Sequence, residues 1–386
     1  MSANESFFAH QKPAAVLKHG ILARYAIYFA GRAGSRTKGV AFIDGYAGEG
    51  RYEDGTPGSP LLLASQAKGA AKFGRDVRLA FVEADKDRRQ KLHQSLREED
   101  VSADQVVGGP VESVLEALLK RYRNDAVLFF ADPFGLGLPR RTLEHVLRRR
   151  RSGLPTDVIY HFSVSTLGRM GRAAVAPGPT SESNATQVDA ALGDIDWRSP
   201  FRSATYDGAP TRAALEVAAD FRRSIQASTG MRSTAVAVRQ RPDHLPKYLL
   251  ILFSGNDKAH WDYADVAGSA YVDWLHRCNE DDYEANLQAC AQMGQASLLD
   301  VPLPGRADID LRLAKEAEQY LNPHLANLIE DRGTLRPVDH IEAIYGEFLG
   351  RARETHVRSA LKQLFANGLV AEGPTKTLWK TTIKRA

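Results

Sequence analysis

Residues 42–52 have the sequence FIDGYAGEGRY, in which an apolar segment ends at Asp44 and glycines follow at positions 45, 48 and 50. The run Val40–Asp44, which overlaps the start of this segment, predicts a β-strand. Glycines directly after a parallel strand let the backbone approach a ligand closely at the carboxyl edge of a sheet. A plain turn between a strand and a helix is the alternative interpretation of this segment.

Further strand-like runs alternate with helical patterns through the first 165 residues. These runs are Val77–Glu83, Gln105–Gly108, Ala126–Ala131 and Asp157–Val164. The run Ala126–Ala131 is apolar throughout, as expected of a strand that is buried on both faces. Repeated strand–helix units predict an α/β fold with a parallel sheet and helices on both faces. Two later runs, Thr234–Val238 and Tyr248–Phe253, could form an antiparallel pair at the sheet edge.

Local signals refine this outline. Ser59 and Pro60 predict the N-cap and first residue of a helix. Residues 165–232 are predicted to be an insertion. Within it, Ala173–Ala185 is small and polar and predicts a mobile loop, and Arg212–Ser228 predicts a helix.

Composition limits the class of protein. The chain has 386 residues, with 43% hydrophobic and 25% charged residues, which fits two or three globular domains. Its two cysteines exclude a disulfide framework and a cysteine-built zinc site, and its histidines share no metal-ligand spacing, so no metal is predicted. The N-terminus has no apolar signal segment, and the longest apolar run is far shorter than the roughly 20 residues that cross a bilayer. A soluble cytoplasmic protein with no membrane association is expected.

Glu83 ends the second predicted strand, within FVEAD at residues 81–85. A carboxylate at this place can accept hydrogen bonds from both ribose hydroxyls of a nucleoside cofactor. Asp85 is ambiguous, because it could simply cap the following helix. The spacing D-x-x-x-G-x-G from Asp44 to Gly50 favours S-adenosylmethionine (SAM) over NAD or a flavin. A solvated acid at a strand end is the alternative for Glu83.

Asp132, Pro133 and Phe134 follow the apolar fourth strand. An exocyclic amine on a base is a poor nucleophile, because its lone pair is conjugated with the ring. A carboxylate and a proline carbonyl can accept both amino hydrogens and help to localise that lone pair, and an aromatic ring can stack on the base. The alternative is a turn whose proline only ends the strand.

The last 52 residues form a separate pattern. Val338–Leu349 and Glu354–Ala366 predict two amphipathic helices, and Leu369–Val370 with Leu378–Ile383 predicts a hairpin. Nine basic residues against five acidic ones place the whole net charge of +4 in this segment. The pattern predicts a winged helix-turn-helix that binds DNA or RNA. Its candidate contacts are Arg353, Arg358 and Lys362 on the recognition helix and Lys376 and Lys380 on the wing. A winged helix for protein interaction is the alternative.

Several segments together resemble the three-Cys-motif partner protein family, within the class I SAM-dependent methyltransferases. They are KHGILARY (18–25), FIDGYAGEGRY (42–52), GSPLLLA (58–64), FVEAD (81–85), ADPFGLG (131–137) and DVIYHFSV (157–164). The resemblance covers about residues 12–300 and implies a Rossmann-like methyltransferase fold with SAM as cofactor. It also implies a radical-type iron–sulfur partner protein in many relatives.

The resemblance also implies roles for individual residues. The methionine end of the cofactor would be held by Asp44 and the backbone of Gly45, Tyr46, Gly48 and Gly50. Glu83 would hold the ribose, with Ala84 beside it, and Val111 would line the adenine. At Gly108-Gly109 the chain departs from the wider class, which often has Asp or Asn followed by an apolar residue there. Asp132, Pro133 and Phe134 would be the catalytic residues that hold the target atom.

Two functions follow from these patterns. The first is a methyltransferase that acts on a nucleic-acid base, most plausibly at an exocyclic amino group. The second is a non-catalytic or cofactor-binding partner of a radical-type iron–sulfur enzyme in nucleic-acid modification or repair. The expected domains are a methyltransferase-like domain at 1–275, a helical connector at 276–334 and the winged helix at 335–386.

Overall fold

The computed structural model describes residues 13–34, 37, 39–149, 153–203, 209–292 and 303–386. The chain divides into two compact units, one from Leu22 to Asn256 and the other from the residues up to Ile21 with Asp257–Ala386. The domain limits expected from the sequence, at 275 and 334, stay a prediction. Within the described ranges, no helix has both the length and the apolar character needed to cross a membrane.

The chain up to residue 256 alternates strands with helices. The strands are β1 (Val40–Asp44), β2 (Val77–Glu83), β3 (Gln105–Gly108), β4 (Ala126–Ala131), β5 (Thr156–Phe162), β6 (Arg232–Val238) and β7 (Tyr248–Ser254). The helices are α1 (Pro13–Ala33), α2 (Ser59–Ala71), α3 (Lys86–Glu98), α4 (Val111–Arg121), α5 (Arg140–Arg148), α6 (Val164–Val175), α7 (Ser181–Leu192), α8 (Arg198–Ser203) and α9 (Ala209–Thr229).

The seven strands form one mixed sheet in the order β3-β2-β1-β4-β5-β7-β6. Strands β1 to β5 are parallel, while β7 runs antiparallel to both β5 and β6. The antiparallel pair predicted from the two late apolar runs is therefore confirmed. The arrangement fits the Rossmann-like methyltransferase fold that the sequence predicts.

The parallel part of the sheet is covered on both faces. Every residue of β1 and β4 is buried. Ala41 and Ile43 belong to a hydrophobic core that also contains residues of α4, α5, α6 and α9. Because side chains alternate along a strand, Val40 and Phe42 point to the opposite face, where they are buried as well. The burial explains why the strands of this sheet are almost continuously apolar in sequence.

Two local predictions are wrong. The segment Ala173–Ala185, predicted to be a mobile loop, is mostly helical: it contains the end of α6 and the start of α7. Pro177 and Gly178 interrupt the helices only briefly, and the Ser181 hydroxyl donates a hydrogen bond back to the Ala174 carbonyl at 2.8 Å. Helix α2 begins at Ser59 itself; the N-cap is Gly58, with no side-chain capping bond.

In its described residues, the other unit is helical apart from two very short strands. From residue 257 onwards its elements are α10 (Asp257–Gln292), α11 (Arg306–Arg332), β8 (Thr334–Leu335), α12 (Ile341–Tyr345), α13 (Glu354–Ala366) and β9 (Ile383–Lys384). Three 3₁₀ turns lie at Pro337–Asp339, Gly346–Phe348 and Leu378–Lys380. A hydrophobic core joins one face of α11 to α13, with Trp261, Ile344 and Leu378 among its members.

The winged-helix outline is matched only in part. The second predicted helix is α13, with the predicted limits. The first, Val338–Leu349, is not continuous: α12 ends at Tyr345, and its C-cap Gly346 has a φ of +51°, in the left-handed region. The predicted hairpin also differs, since Leu378 is buried in a 3₁₀ turn, and β9 pairs antiparallel with β8. Val370 makes only an isolated antiparallel bridge, to Arg385.

Candidate functional site

Four predicted or newly found site residues lie at the carboxyl edge of the sheet. Asp44 ends β1, Glu83 ends β2, Asp132 follows β4 and His161 is near the end of β5. These strands are consecutive in the order β2-β1-β4-β5 and run parallel, so their carboxyl ends meet at one edge. Ligands of doubly wound folds bind at this edge.

The glycine turn after β1 is fixed by backbone hydrogen bonds to the strands on either side. The Gly45 N–H donates to the Phe130 carbonyl and the Ala47 N–H to the Val82 carbonyl, each at 2.9 Å. The Asp44 carboxylate accepts a hydrogen bond from the Tyr46 N–H at 3.0 Å. The turn therefore crosses the ends of β4 and β2 in a fixed conformation.

The glycines of this turn have different roles. Gly48 has φ of +62°, and the space that a Cβ would occupy there is open to at least 4 Å. At Gly45 a Cβ would lie 2.9 Å from the ring of Phe129. Gly45 is thus required by packing, whereas Gly48 provides a left-handed backbone and an open approach to the main chain.

Glu83 joins two loops through its carboxylate. One oxygen accepts a hydrogen bond from the Gly48 N–H at 2.8 Å, and the other accepts one from the Asp85 N–H at 2.9 Å. The residue is only 9% exposed. Since an ionised carboxylate has about four acceptor positions, each oxygen still has capacity for a further donor, such as a ribose hydroxyl.

Asp85 caps the next helix, as the sequence allowed. Its carboxylate accepts a hydrogen bond from the Arg88 N–H at 2.9 Å at the start of α3. This backbone hydrogen bond is the main cause that lowers the pKa of Asp85. Ala84, between Glu83 and Asp85, is exposed.

The predicted adenine contact lies where β3 ends and α4 begins. Val111, the first residue of α4, is 2% exposed, and its side chain packs beneath the turn at Gly45. At Gly108 a Cβ would come within 2.6 Å of the Arg89 guanidinium, which also donates to the Glu83 carbonyl at 2.9 Å. Arg89, which the sequence did not single out, therefore covers the ends of β2 and β3.

The turn after β4 presents one aromatic ring to solvent. Phe134 is 83% exposed, with the Arg88 guanidinium 5.5 Å from the centre of its ring. Pro133 is buried, and a Cβ at Gly137, where φ is +36°, would overlap the proline ring. The side chain of Asp132, 21% exposed, is half-buried at the start of this turn.

His161 lies beside Asp132. Its Nδ1 is 3.6 Å from the Asp132 Oδ1, and its ring is 4.1 Å from the ring of Tyr248, measured between centres. His161 is not among the site residues that the sequence predicts. The register of β4 and β5 is the signal that could have identified the pair of Asp132 and His161. Ala131 is opposite Tyr160, and Asp132 and His161 directly follow these two residues in sequence.

Tyr46 is the second group near Asp132. Burial raises the pKa of its phenol far above the ordinary value, and the charge of Glu112, the neighbouring Tyr160 and the charge of Asp132 raise it further. Tyr46 therefore stays a neutral hydrogen-bond donor over the physiological pH range. Its backbone was the only part that the sequence analysis assigned to the site.

The five basic candidates of the C-terminal segment lie in two different settings. Arg353 makes a bidentate ion pair with Asp310 at 2.8 Å, and Arg358 pairs with Glu354 and donates to the Thr375 carbonyl. The three lysines are exposed on the surface: Lys362, Lys376 and Lys380. Lys380 also lies 4.6 Å from the ring centre of Trp379.

In the described parts of the chain, no group of three or more His, Cys, Asp and Glu side chains could hold a metal ion.

No protein-family model and no curated protein matches the chain. Among solved structures, it is similar to the cofactor-bound protein Rv0187 from MTB, with 17% identity over 65% of this chain and 93% of that one and a TM-score of 0.32. It is also similar to the O-methyltransferase TomG from Streptomyces achromogenes in complex with SAM, with 12% identity over 62% of this chain and 80% of that one and a TM-score of 0.33. A third similar structure is the methyltransferase PaMTH1 from Podospora anserina, bound to S-adenosylhomocysteine (SAH). It has 11% identity over 63% of this chain and 88% of that one, and a TM-score of 0.31. At these scores the similarity transfers no activity or substrate to this chain.

Proposed function

We propose that the protein transfers a methyl group from SAM to an exocyclic amino group of a nucleic-acid base. The observation that carries the proposal is the joint position of two groups at one sheet edge. The glycine turn with Glu83 lies at the ends of β1 and β2, and the Asp132 turn lies at the end of the adjacent strand β4. A nucleoside cofactor and a polar acceptor group could therefore be held next to each other.

The residues around the glycine turn suit such a cofactor. Gly48 leaves an open approach to the main chain, and Glu83 keeps acceptor capacity for ribose hydroxyls. The buried carboxylate of Asp44 supplies negative charge near the place where a cationic methionine end would lie. When bound, SAM supplies an activated methyl group on a sulfonium.

The turn after β4 suits an amino group on a planar ring. The Asp132 carboxylate and the Pro133 carbonyl could accept the two amino hydrogens. The ring of Phe134 is exposed and could stack on the base, a contact that contributes about 1–3 kcal/mol. Arg88 next to Phe134 adds a positive charge that would attract the phosphate backbone. Such chemistry needs mainly proximity and orientation, so a strong general base is not required.

The C-terminal segment would dock the nucleic acid in this proposal. Its support is the net charge of the segment and the exposed lysines at 362, 376 and 380, of which Lys380 lies near the aromatic ring of Trp379. Because Arg353 and Arg358 are engaged in ion pairs within the chain, we expect the lysines to contribute more to phosphate binding.

The second candidate is a cofactor-binding partner of a radical-type iron–sulfur enzyme, which the resemblance to three-Cys-motif partner proteins implies. It needs the glycine turn and Glu83 but not the Asp132 turn. The geometry favours the enzyme, because Phe134 is held exposed by a turn that only glycine permits at position 137.

The experiment is to incubate the full-length protein with methyl-labelled SAM and either total RNA or genomic DNA, and to analyse a nucleoside digest by mass spectrometry. We expect one methylated nucleoside with the unaltered protein and at most a trace of it with Asp132→Ala. Asp87→Ala, which changes an exposed acid in the first turn of α3, is the matched control. Calorimetric binding of SAH without any labelled nucleoside would contradict the enzyme and favour the partner protein. Binding of NAD instead would contradict both.

A further inference from the structure

We propose that His161 forms an acid–base pair with Asp132 and receives, through that carboxylate, the proton that the methylated amino group releases. This inference rests on the proposed function and adds a positioning residue to the same site. His161 acts through Asp132.

The geometry of the pair is set by the sheet. Asp132 and His161 follow a pair of residues in register on adjacent parallel strands, so their side chains emerge next to each other at the carboxyl edge. The Nδ1-to-Oδ1 separation of 3.6 Å is slightly longer than a hydrogen bond, and a small rotation of either side chain would close it. The ring of Tyr248, inclined at 53° to the imidazole, limits how far His161 can turn away.

Tyr46 and Tyr248 are neighbours of the pair in the described part of the chain. The phenol of Tyr46, from the glycine turn, interacts electrostatically with Asp132, with Glu112 of α4 and with Tyr160 of β5, and the ring of Tyr248 from β7 lies against His161. The pKa of Tyr46 is raised by burial, so this phenol can donate a hydrogen bond but cannot take a proton. Because an imidazole is the side chain suited to proton transfer near neutral pH, we assign the accepting role to His161, 3.6 Å from Asp132.

The proton and electron balance is complete without another reagent. The nitrogen lone pair of the amine forms the new N–C bond, while the S–C bond breaks and its electron pair stays on sulfur. The nitrogen then carries one proton too many. Asp132 accepts that proton, and a neutral His161 then takes it over at Nδ1, leaving an imidazolium beside a carboxylate. Exchange with solvent then restores the resting state.

A readout that needs no substrate is the titration of the imidazole by NMR in the full-length protein, labelled at histidine and assigned with His161→Gln. A carboxylate close to an imidazole favours its charged form. We therefore expect Asp132→Asn to move the protonation of His161 to lower pH, and to leave that of the exposed His93 unchanged. An unchanged His161 titration in Asp132→Asn would overturn the pair.

Turnover gives the second readout, on whichever nucleic acid the unaltered protein labels. We expect His161→Gln to lower kcat roughly 10-fold to 10²-fold, with little change in KM or SAH affinity, and to remove the acidic limb of the kcat profile. Added imidazole should partly restore turnover of His161→Ala, and His93→Gln should behave like the unaltered protein. Full turnover and an unchanged pH profile in His161→Gln would overturn the inference. If the unaltered protein labels no nucleic acid, the proposed function fails, and the NMR titration alone decides whether the pair exists.

Discussion

Replacing Glu83 by Ala tests the cofactor site at its most connected residue. The carboxylate accepts hydrogen bonds from the backbone of Gly48 and Asp85, and in our account it also accepts two from the ribose. A hydrogen bond to a charged group contributes about 1.5–3 kcal/mol. At the lower end of that range, loss of two ribose bonds costs about 3 kcal/mol, or roughly a hundredfold in Kd.

The assay is isothermal calorimetry of the full-length protein with SAH. Glu49→Ala is the matched control, because Glu49 lies in the same turn and its side chain forms an exposed ion pair with Lys91 at 3.0 Å. Thermal melting of both variants shows whether the turn stays folded without the two backbone contacts. A folded Glu83→Ala protein that binds SAH as tightly as Glu49→Ala would refute the assignment of Glu83 to the ribose.

Three further changes test other parts of the molecule. Asp132→Ala should lower methyl transfer by roughly 10²–10⁴-fold while sparing most SAH affinity, measured by label incorporation and calorimetry; full activity would exclude the amino-group mechanism. Phe134→Ala should weaken binding of the nucleic-acid substrate roughly tenfold or more, whereas Phe73→Ala, at an equally exposed ring, should not; equal affinities would remove the stacking role. Burial and the charge of Arg353 lower the pKa of His356 below 6.5, so the native protein should lose stability as pH falls through that value. The melting temperature of His356→Gln should therefore depend less on pH than that of the unaltered protein.

The sign of the His356 effect follows from the neutral ring. Its Nδ1 accepts a hydrogen bond from the Arg353 N–H at 3.2 Å, which a protonated ring could not do. The unfolded chain takes up a proton near pH 6.5 and the folded chain only at lower pH, so acid favours the unfolded state in that window. An equal acid sensitivity of the variant would show that other groups control the transition.

The parallel sheet could be predicted almost completely from the sequence. Strands β1 to β4 have the predicted limits. In β1 and β4 every residue is buried, which makes each of these two strands a short apolar run between polar turns. The predicted strands also placed Asp44, Glu83 and Asp132 at the carboxyl edge of the sheet, because each of these residues ends or follows a parallel strand.

Features that depend on tertiary contacts could not be predicted. The pairing of His161 with Asp132 requires knowing that β4 and β5 are neighbours, which local pattern does not reveal. The ion pair of Arg353 with Asp310 joins residues 43 positions apart. In Val338–Leu349 the spacing of the apolar residues is helical, yet Gly346 adopts a left-handed conformation that ends the helix. The periodicity of the sequence therefore did not reveal this helix end.

The most direct measurement is a crystal structure of the full-length protein grown with SAM. We predict electron density for the cofactor in the crevice at the ends of β1 and β2, with its ribose at Glu83, its methionine end over the turn at Gly48 and its methyl group directed towards Asp132. Cofactor density at another place, or side chains of this unit filling the crevice, would contradict the account.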